Sequence, residues 1–208
     1  MIYDISLPLD GTVAPWPGDA PYRFERNWQI SEGASVNVGS LAMSVHYGTH
    51  IDAPYHFAET GTRAGALDLS PYWGNAIVLD MSSYGADGEI GWDAFADLDF
   101  ARTPRLLMRT DSWKDHTTFP DTVPVLAADV PALLAARGVA LIGIDVPSVD
   151  RIDSKNLPNH HALQRAGIAI LESLNLAGVA PGVYELCALP LRLIDADGAP
   201  VRAVLRRE

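Results

Sequence analysis

The stretch HYGTHIDAPYHF, residues 46–57, reads either as helix or as extended chain, and the fold class turns on which it is. Histidines four apart share a metal readily on a helix. Here, however, Gly48 and the β-branched Thr49 are weak helix formers, and Pro54 drives Ala53 out of the α region. The segment is therefore expected to be extended. In extended chain His46, His50, Asp52 and His56 have equal parity and point to one face. Three imidazoles and a carboxylate make a poor core and a good nitrogen–oxygen metal site, and they use half of the 6 histidines in the chain. A straight strand separates the Cα atoms of residues four apart by roughly 13 Å, so one ion takes both His46 and His50 only if the backbone bends between them. Gly48 permits that bend and belongs to the expected site. For any one of these side chains a polar loop mouth without metal is the plainer reading; four of matching parity argue against it.

Outward from this stretch the apolar period is mostly short. MIYDISLPL, YRFERNWQI, VNVGSLAMSVH, NAIVLDM, PRLLMRT, VALIGIDV, VYELCALPLRLI and PVRAVLRR all read as strands. Only residues 91–99 (GWDAFADLD) and 127–138 (AADVPALLAARG) read as helices, the second with Gly138 as its stop. The class is thus α/β, strand-rich with few helices, and 208 residues without an internal repeat or long linker fit one domain spanning residues 1–208. Fifteen prolines and 17 glycines fall mainly between the strands, which leaves loops to carry the function. No run approaches the roughly 18 to 20 apolar residues that cross a bilayer, and MIYDISLPLD lacks a secretory signal pattern, so no membrane partner and a cytoplasmic location are expected. Cys187 is the single cysteine, which excludes an internal disulfide and a cysteine-cluster metal site. A formal charge of -11 has the wrong sign for a phosphate-binding surface, so nucleic acid is not an expected partner.

Further candidates lie elsewhere. Glu172 sits in the apolar run 168–174, where a carboxylate is costly unless paired or bound to a cation; the alternative is a solvent-facing position on an amphipathic element. Of the adjacent His160 and His161, one at most faces a given site, and spacing does not choose between them. Asp145 closes an apolar strand before a turn, where capping of backbone N–H groups is the favoured role. Trp16, held between two prolines, either walls an aromatic substrate or packs on the core. Cys187 alternates with Leu186 and Ala188 and needs no role beyond packing.

The motif His-x-Gly-Thr-His-x-Asp-x-Pro-x-His at 46–56, with WPGD at 16–19, GIDVPSVD at 143–150, HHALQRAGIAILESL at 160–174 and ALPLRLIDADGAPVRAV at 188–204, resembles the metal-dependent cyclase-like hydrolases. Within them it resembles the arylformamidase branch, which converts N-formyl-L-kynurenine to L-kynurenine and formate in tryptophan degradation. The resemblance runs nearly end to end. It implies a swivelling β/β/α fold, a homodimer and two divalent metal ions, with Zn²⁺ expected and Mn²⁺ also suited to such ligands. Residue by residue, it implies that His46, His50 and Asp52 bind one ion and that Asp52, His160 and Glu172 bind the other, with Asp52 and Glu172 bridging. It makes His56 the proton donor and acceptor and Trp16 a substrate contact. Such ions lower the pKa of bound water toward 7, so no serine or cysteine nucleophile is required for a small aromatic formamide substrate. Two alternatives stay open: a sibling amidohydrolase such as an isatin hydrolase, and a non-catalytic metal-binding domain, against which His56 argues.

Overall fold

The computed structural model describes residues 1–207. The strands in chain order are β1 (Ile2–Asp4), β2 (Arg23–Trp28), β3 (Val38–Ala42), β4 (His50–Asp52), β5 (Trp73–Asp80), β6 (Glu89–Ile90) and β7 (Arg105–Arg109). They continue as β8 (Val125–Leu126), β9 (Leu141–Ile144), β10 (Ala169–Glu172), β11 (Gly182–Cys187), β12 (Gly198–Pro200) and β13 (Val204–Arg206), with helices α1 (Val130–Ala136) and α2 (Pro158–Ala166). Nine strands form one mixed sheet in the order β1-β13-β11-β5-β7-β9-β10-β4-β12; β2 pairs with β3, and β6 with β8. The four strands β5, β7, β9 and β10 run parallel in the centre.

Central strands buried on both faces read as continuous apolar runs, and here each run divides between two cores by its period of two. Leu106, Met108, Ile142, Ile144 and Ile170 enter one core, with Leu134 of α1 and Leu163 of α2. Leu107, Leu141 and Leu171 enter the other, with Ile51, Val78 and Leu186. At about 25 cal/mol per Å² of buried apolar surface, these two cores are the main stabilising term. The sheet thereby fixes the functional stretch, because β4 lies between β10 and β12. Among the described residues no helix is long and apolar enough to cross a membrane.

Several sequence readings need correction. Residues 91–99 form only a 3-10 turn at Trp92–Ala94. Three aspartates in this short run disfavour α-helix, and Asp99 turns back on its own backbone, accepting from the Ala101 N–H at 3.2 Å. The helix expected over 127–138 starts later, with Pro131 in its first turn and Gly138 beyond its end at φ 81. Helix α2 was not expected, although Pro158 opens it and Gly167 closes it in the left-handed conformation. VYELCALPLRLI stops as a strand at Cys187, and PVRAVLRR is split between β12 and β13. Of the 46–57 stretch only His50–Asp52 is strand: His46 lies in the preceding turn, and Pro54–His56 is a 3-10 turn.

Candidate metal centre and its cavity

Register brings the site together. β4 pairs antiparallel with β10 so that Glu172 stands opposite His50 and Ile170 opposite Asp52. His50 and Asp52, two apart, share a face, whereas His46 reaches it through the turn at Gly48, whose φ is 70. His56 comes from the 3-10 turn. α2 supplies His160, buried, and directs the half-buried His161 to Phe57, ring centroids 5.5 Å apart.

The carboxylates are divided between two groups of imidazoles. Asp52 Oδ1 faces His46 Nδ1 at 3.1 Å and His50 Nε2 at 3.5 Å, while its Oδ2 faces His160 Nε2 at 3.2 Å. Glu172 follows the same division, with Oε2 3.5 Å from His50 Nε2 and Oε1 3.7 Å from His160 Nε2. Glu172 Oε1 also accepts the Val149 N–H at 2.8 Å. Glu172 is 3% exposed, which overturns the solvent-facing alternative.

The outward nitrogens of three imidazoles are committed elsewhere. In the neutral tautomers that these acceptors favour, His50 Nδ1 donates to the Gly48 carbonyl at 2.8 Å, His160 Nδ1 to Asp150 Oδ2 at 2.7 Å, and His46 Nε2 to Asp197 Oδ2 at 2.9 Å. Each ring thus turns its other nitrogen, a lone pair, toward Asp52. Both oxygens of Asp52 are buried and accept no hydrogen bond among the described residues. Converging lone pairs around an unpartnered buried carboxylate are stable only with a cation or with added protons among them. The donor set therefore fits a divalent ion held by nitrogen and oxygen. Without an ion the rings take up protons. Burial pulls His50 and His160 down, but the facing carboxylates outweigh it: Asp52 and Glu172 raise His50 to about 10, and Asp150 and Asp52 raise His160 to about 10. Burial alone would raise Asp52, yet His160, His46 and His50 hold it well below the usual carboxylate range.

His50, Asp52 and Glu172 bring ligand atoms within 4.8 Å of one another, and so do His46, Asp52 and His56. His56 stands at the rim, its side chain 33% exposed and its Nδ1 3.2 Å from Asp197 Oδ2. The centre opens into a cavity of about 280 Å³ lined by His46, His50, His56, His160 and Glu172 and walled by Trp16, Trp113 and Phe119. Trp16 is 40% exposed and meets Phe119 edge to face at 5.1 Å, so it faces the cavity rather than the core. Ser173 (φ 56) and Leu157 (φ 42), both at this cavity, hold left-handed backbone, the strained geometry that gathers at functional sites.

Two carboxylates escaped the sequence reading. Asp150 closes GIDVPSVD and Asp197 lies in DADGAP; each stood in a quoted motif as an acid before a turn or strand, with no signal of which histidine it would meet. Asp145 takes the capping role, accepting from the N–H groups of Thr110 and Asp111 and from Thr110 Oγ1. Cys187 is a half-buried free thiol in β11 and does not line this cavity.

A cyclase family model matches residues 3–151. The chain belongs to the cyclase family. Its relatives there include a kynurenine formamidase of Geobacillus thermodenitrificans (strain NG80-2), 50% identical over 98% of this chain and 96% of the relative. Among solved cyclase-family structures, one described as a potential metal-dependent hydrolase with cyclase activity is 29% identical, with TM-score 0.81 over 100% of this chain and 98% of that one. Isatin hydrolase A from Labrenzia aggregata, bound to benzyl benzoate, shares the fold with TM-score 0.82 over 99% of this chain and 93% of its own, at 24% identity.

Proposed function

We propose that this enzyme is an arylformamidase that hydrolyses N-formyl-L-kynurenine to L-kynurenine and formate. The observation that carries the proposal is the division of the Asp52 and Glu172 oxygens between two imidazole groups, which would let both carboxylates serve a pair of ions. His46, His50 and Asp52 would hold the first; Asp52, His160 and Glu172 would hold the second; Zn²⁺ is the expected metal, and Mn²⁺ suits the same donors. The relatives at about half identity support the formamide substrate.

A divalent pair held there would supply a water acidified toward neutral pH and a Lewis acid for the formyl oxygen. His56, outside both ligand sets, moves a proton from the attacking water to the departing nitrogen. That leaving group is an aromatic amine, a weaker base than an alkyl amine, so one histidine suffices. Trp16, Trp113 and Phe119 stack against the aryl ring and exclude water. Water adds to the formyl carbon, the C–N bond breaks, and formate and the arylamine leave.

The enzyme acts as a homodimer in this proposal. Every residue of β2 and β3 is exposed, with Phe24 at 55%, Trp28 at 58% and Leu41 at 52%. A two-stranded ribbon is marginal alone, and an exposed apolar patch of this kind is covered by a partner, here a second copy. Sedimentation equilibrium reads the dimer directly, and a monomer at micromolar concentration refutes it. For the activity, metal-analysed protein is assayed on N-formylkynurenine beside isatin, with and without a chelator. Chelator-sensitive release of kynurenine is the expected result; preference for isatin, or no turnover with metal bound, overturns the assignment.

A further inference from the structure

Among the described residues, the one acid that touches both a ligand histidine and the rim histidine lies far from either in sequence. Asp197 Oδ2 is 2.9 Å from His46 Nε2 and 3.2 Å from His56 Nδ1, and the two rings lie tilted at 41° with centroids 4.1 Å apart. The backbone holds this carboxylate in place. The Asp197 carbonyl accepts the Ala53 N–H at 2.9 Å, and the preceding turn is tied down where the Ala64 N–H donates to the Ala196 carbonyl at 2.9 Å and Arg63 to the Asp195 carbonyl at 2.9 Å. Gly198 then opens β12 opposite Asp52. A Cβ at Gly198 would fall 2.8 Å from His46 Cε1 and 2.9 Å from the Ile51 carbonyl oxygen, so a side chain there would push the His46 ring away from Asp197.

One acceptor oxygen shared by two rings selects both tautomers. With its Nε2–H on Asp197, His46 presents the Nδ1 lone pair to the Asp52 side, where the ion is held in the proposed function. With its Nδ1–H on the same oxygen, His56 keeps Nε2 free for the proton it carries. We propose that Asp197 is the positioning residue of this enzyme, setting the tautomers of His46 and His56 through a single carboxylate oxygen and so coupling metal affinity to proton transfer. The proposal rests on the functional reading above and adds to it a link between two roles that are otherwise separate. Asp150 performs the simpler task, orienting the one ring of His160.

The test uses zinc-loaded full-length protein labelled with ¹⁵N at histidine, comparing wild type with Asp197→Ala and Asp197→Asn. In wild type the expected spectra show His46 as the Nε2–H tautomer and His56 as the Nδ1–H tautomer. In Asp197→Ala, His56 shifts to a tautomer mixture, and zinc affinity, read by competition with a chromophoric chelator, falls about 10- to 100-fold. For aryl formamide kcat falls while KM stays within twofold. Asp197→Asn, which keeps size and one acceptor oxygen, falls between the two and guards against misfolding of the alanine variant. Unchanged His56 tautomers in both variants, or zinc affinity within twofold of wild type, overturn the proposal. Wild-type protein that binds zinc but cleaves no aryl formamide overturns the functional reading instead, and leaves the tautomer and zinc measurements on Asp197 to be read on their own.

Discussion

His56→Ala separates proton transfer from metal binding. The side chain is 33% exposed and makes one polar contact, 3.2 Å to Asp197. An exposed contact of this kind contributes about 0–1 kcal/mol. At about 2–4 °C per kcal/mol for a chain of this size, Tm should move by no more than about 4 °C. The contacts of His46, His50, Asp52, His160 and Glu172 with one another do not pass through His56, so metal content should stay at the wild-type value. Turnover should not survive as well. A positioned general acid and base contributes about 10²- to 10⁴-fold, or about 2.7–5.4 kcal/mol of barrier at 1.36 kcal/mol per tenfold. The loss should fall on kcat, because the aromatic walls that bind the ring are untouched. Elemental analysis after dialysis, with steady-state kinetics on the same sample, reads both quantities. The competing geometry is explicit, since His56 also brings a ligand atom within 4.8 Å of those of His46 and Asp52. Loss of one equivalent of metal from His56→Ala would falsify the division of labour and make His56 a ligand; a kcat decrease below tenfold would remove it as the proton carrier.

Asp52→Ala should lose metal together with activity, since its two oxygens face the imidazoles of His46, His50 and His160; elemental analysis showing full metal content would contradict the bridging role. Trp16→Ala should raise KM about 3- to 10-fold with a smaller effect on kcat, consistent with one aromatic contact, and an unchanged KM removes Trp16 from the substrate wall. Gly48→Ala places a Cβ at φ 70 and 2.8 Å from Leu9 Cδ2; at about 1–2 kcal/mol for left-handed backbone, calorimetry should show Tm lowered by about 2–8 °C. In metal-free protein His50 and His160 are raised to about 10 against 6.5 unfolded, their facing carboxylates overcoming burial. Their stabilising contribution is therefore complete below about pH 6.5 and is lost as pH rises through about 10, so metal-free Tm should fall across that window. The loaded protein needs both rings neutral, so its metal affinity should instead rise with pH; a metal-free Tm flat from pH 6.5 to 10 contradicts the charge arrangement.

The parts of this protein legible in its sequence are those governed by near neighbours along the chain. Gly48 between two histidines pointed to a bend, and the backbone there has φ 70. The equal parity of His50 and Asp52 placed them on one face, and they share it in β4. Equal parity failed for His46 and His56 because the extended run is only three residues long, and turns on either side return those rings to the same place by other routes. The strand-rich character was legible for the same reason, since the period of two is a local property. The short helix expected over 91–99 failed where packing of Phe95 and the turn chemistry of Asp99 overrode a weak pattern.

Tertiary structure alone decided the partners. Glu172 is buried against His50 because β10 lies beside β4 in a register that no single strand encodes. His160 rather than His161 faces Asp52 because α2 is anchored by Asp150, which accepts the N–H groups of Asn159 and His160. Asp197 meets His46 across 151 residues because β12 pairs with the far edge of β4. Residue type and spacing record what each side chain can do, since those depend on bonded geometry and local sterics. Which charges share a dry volume depends on strand order and register, and these are settled by the summed burial of two cores to which every strand of the sheet contributes.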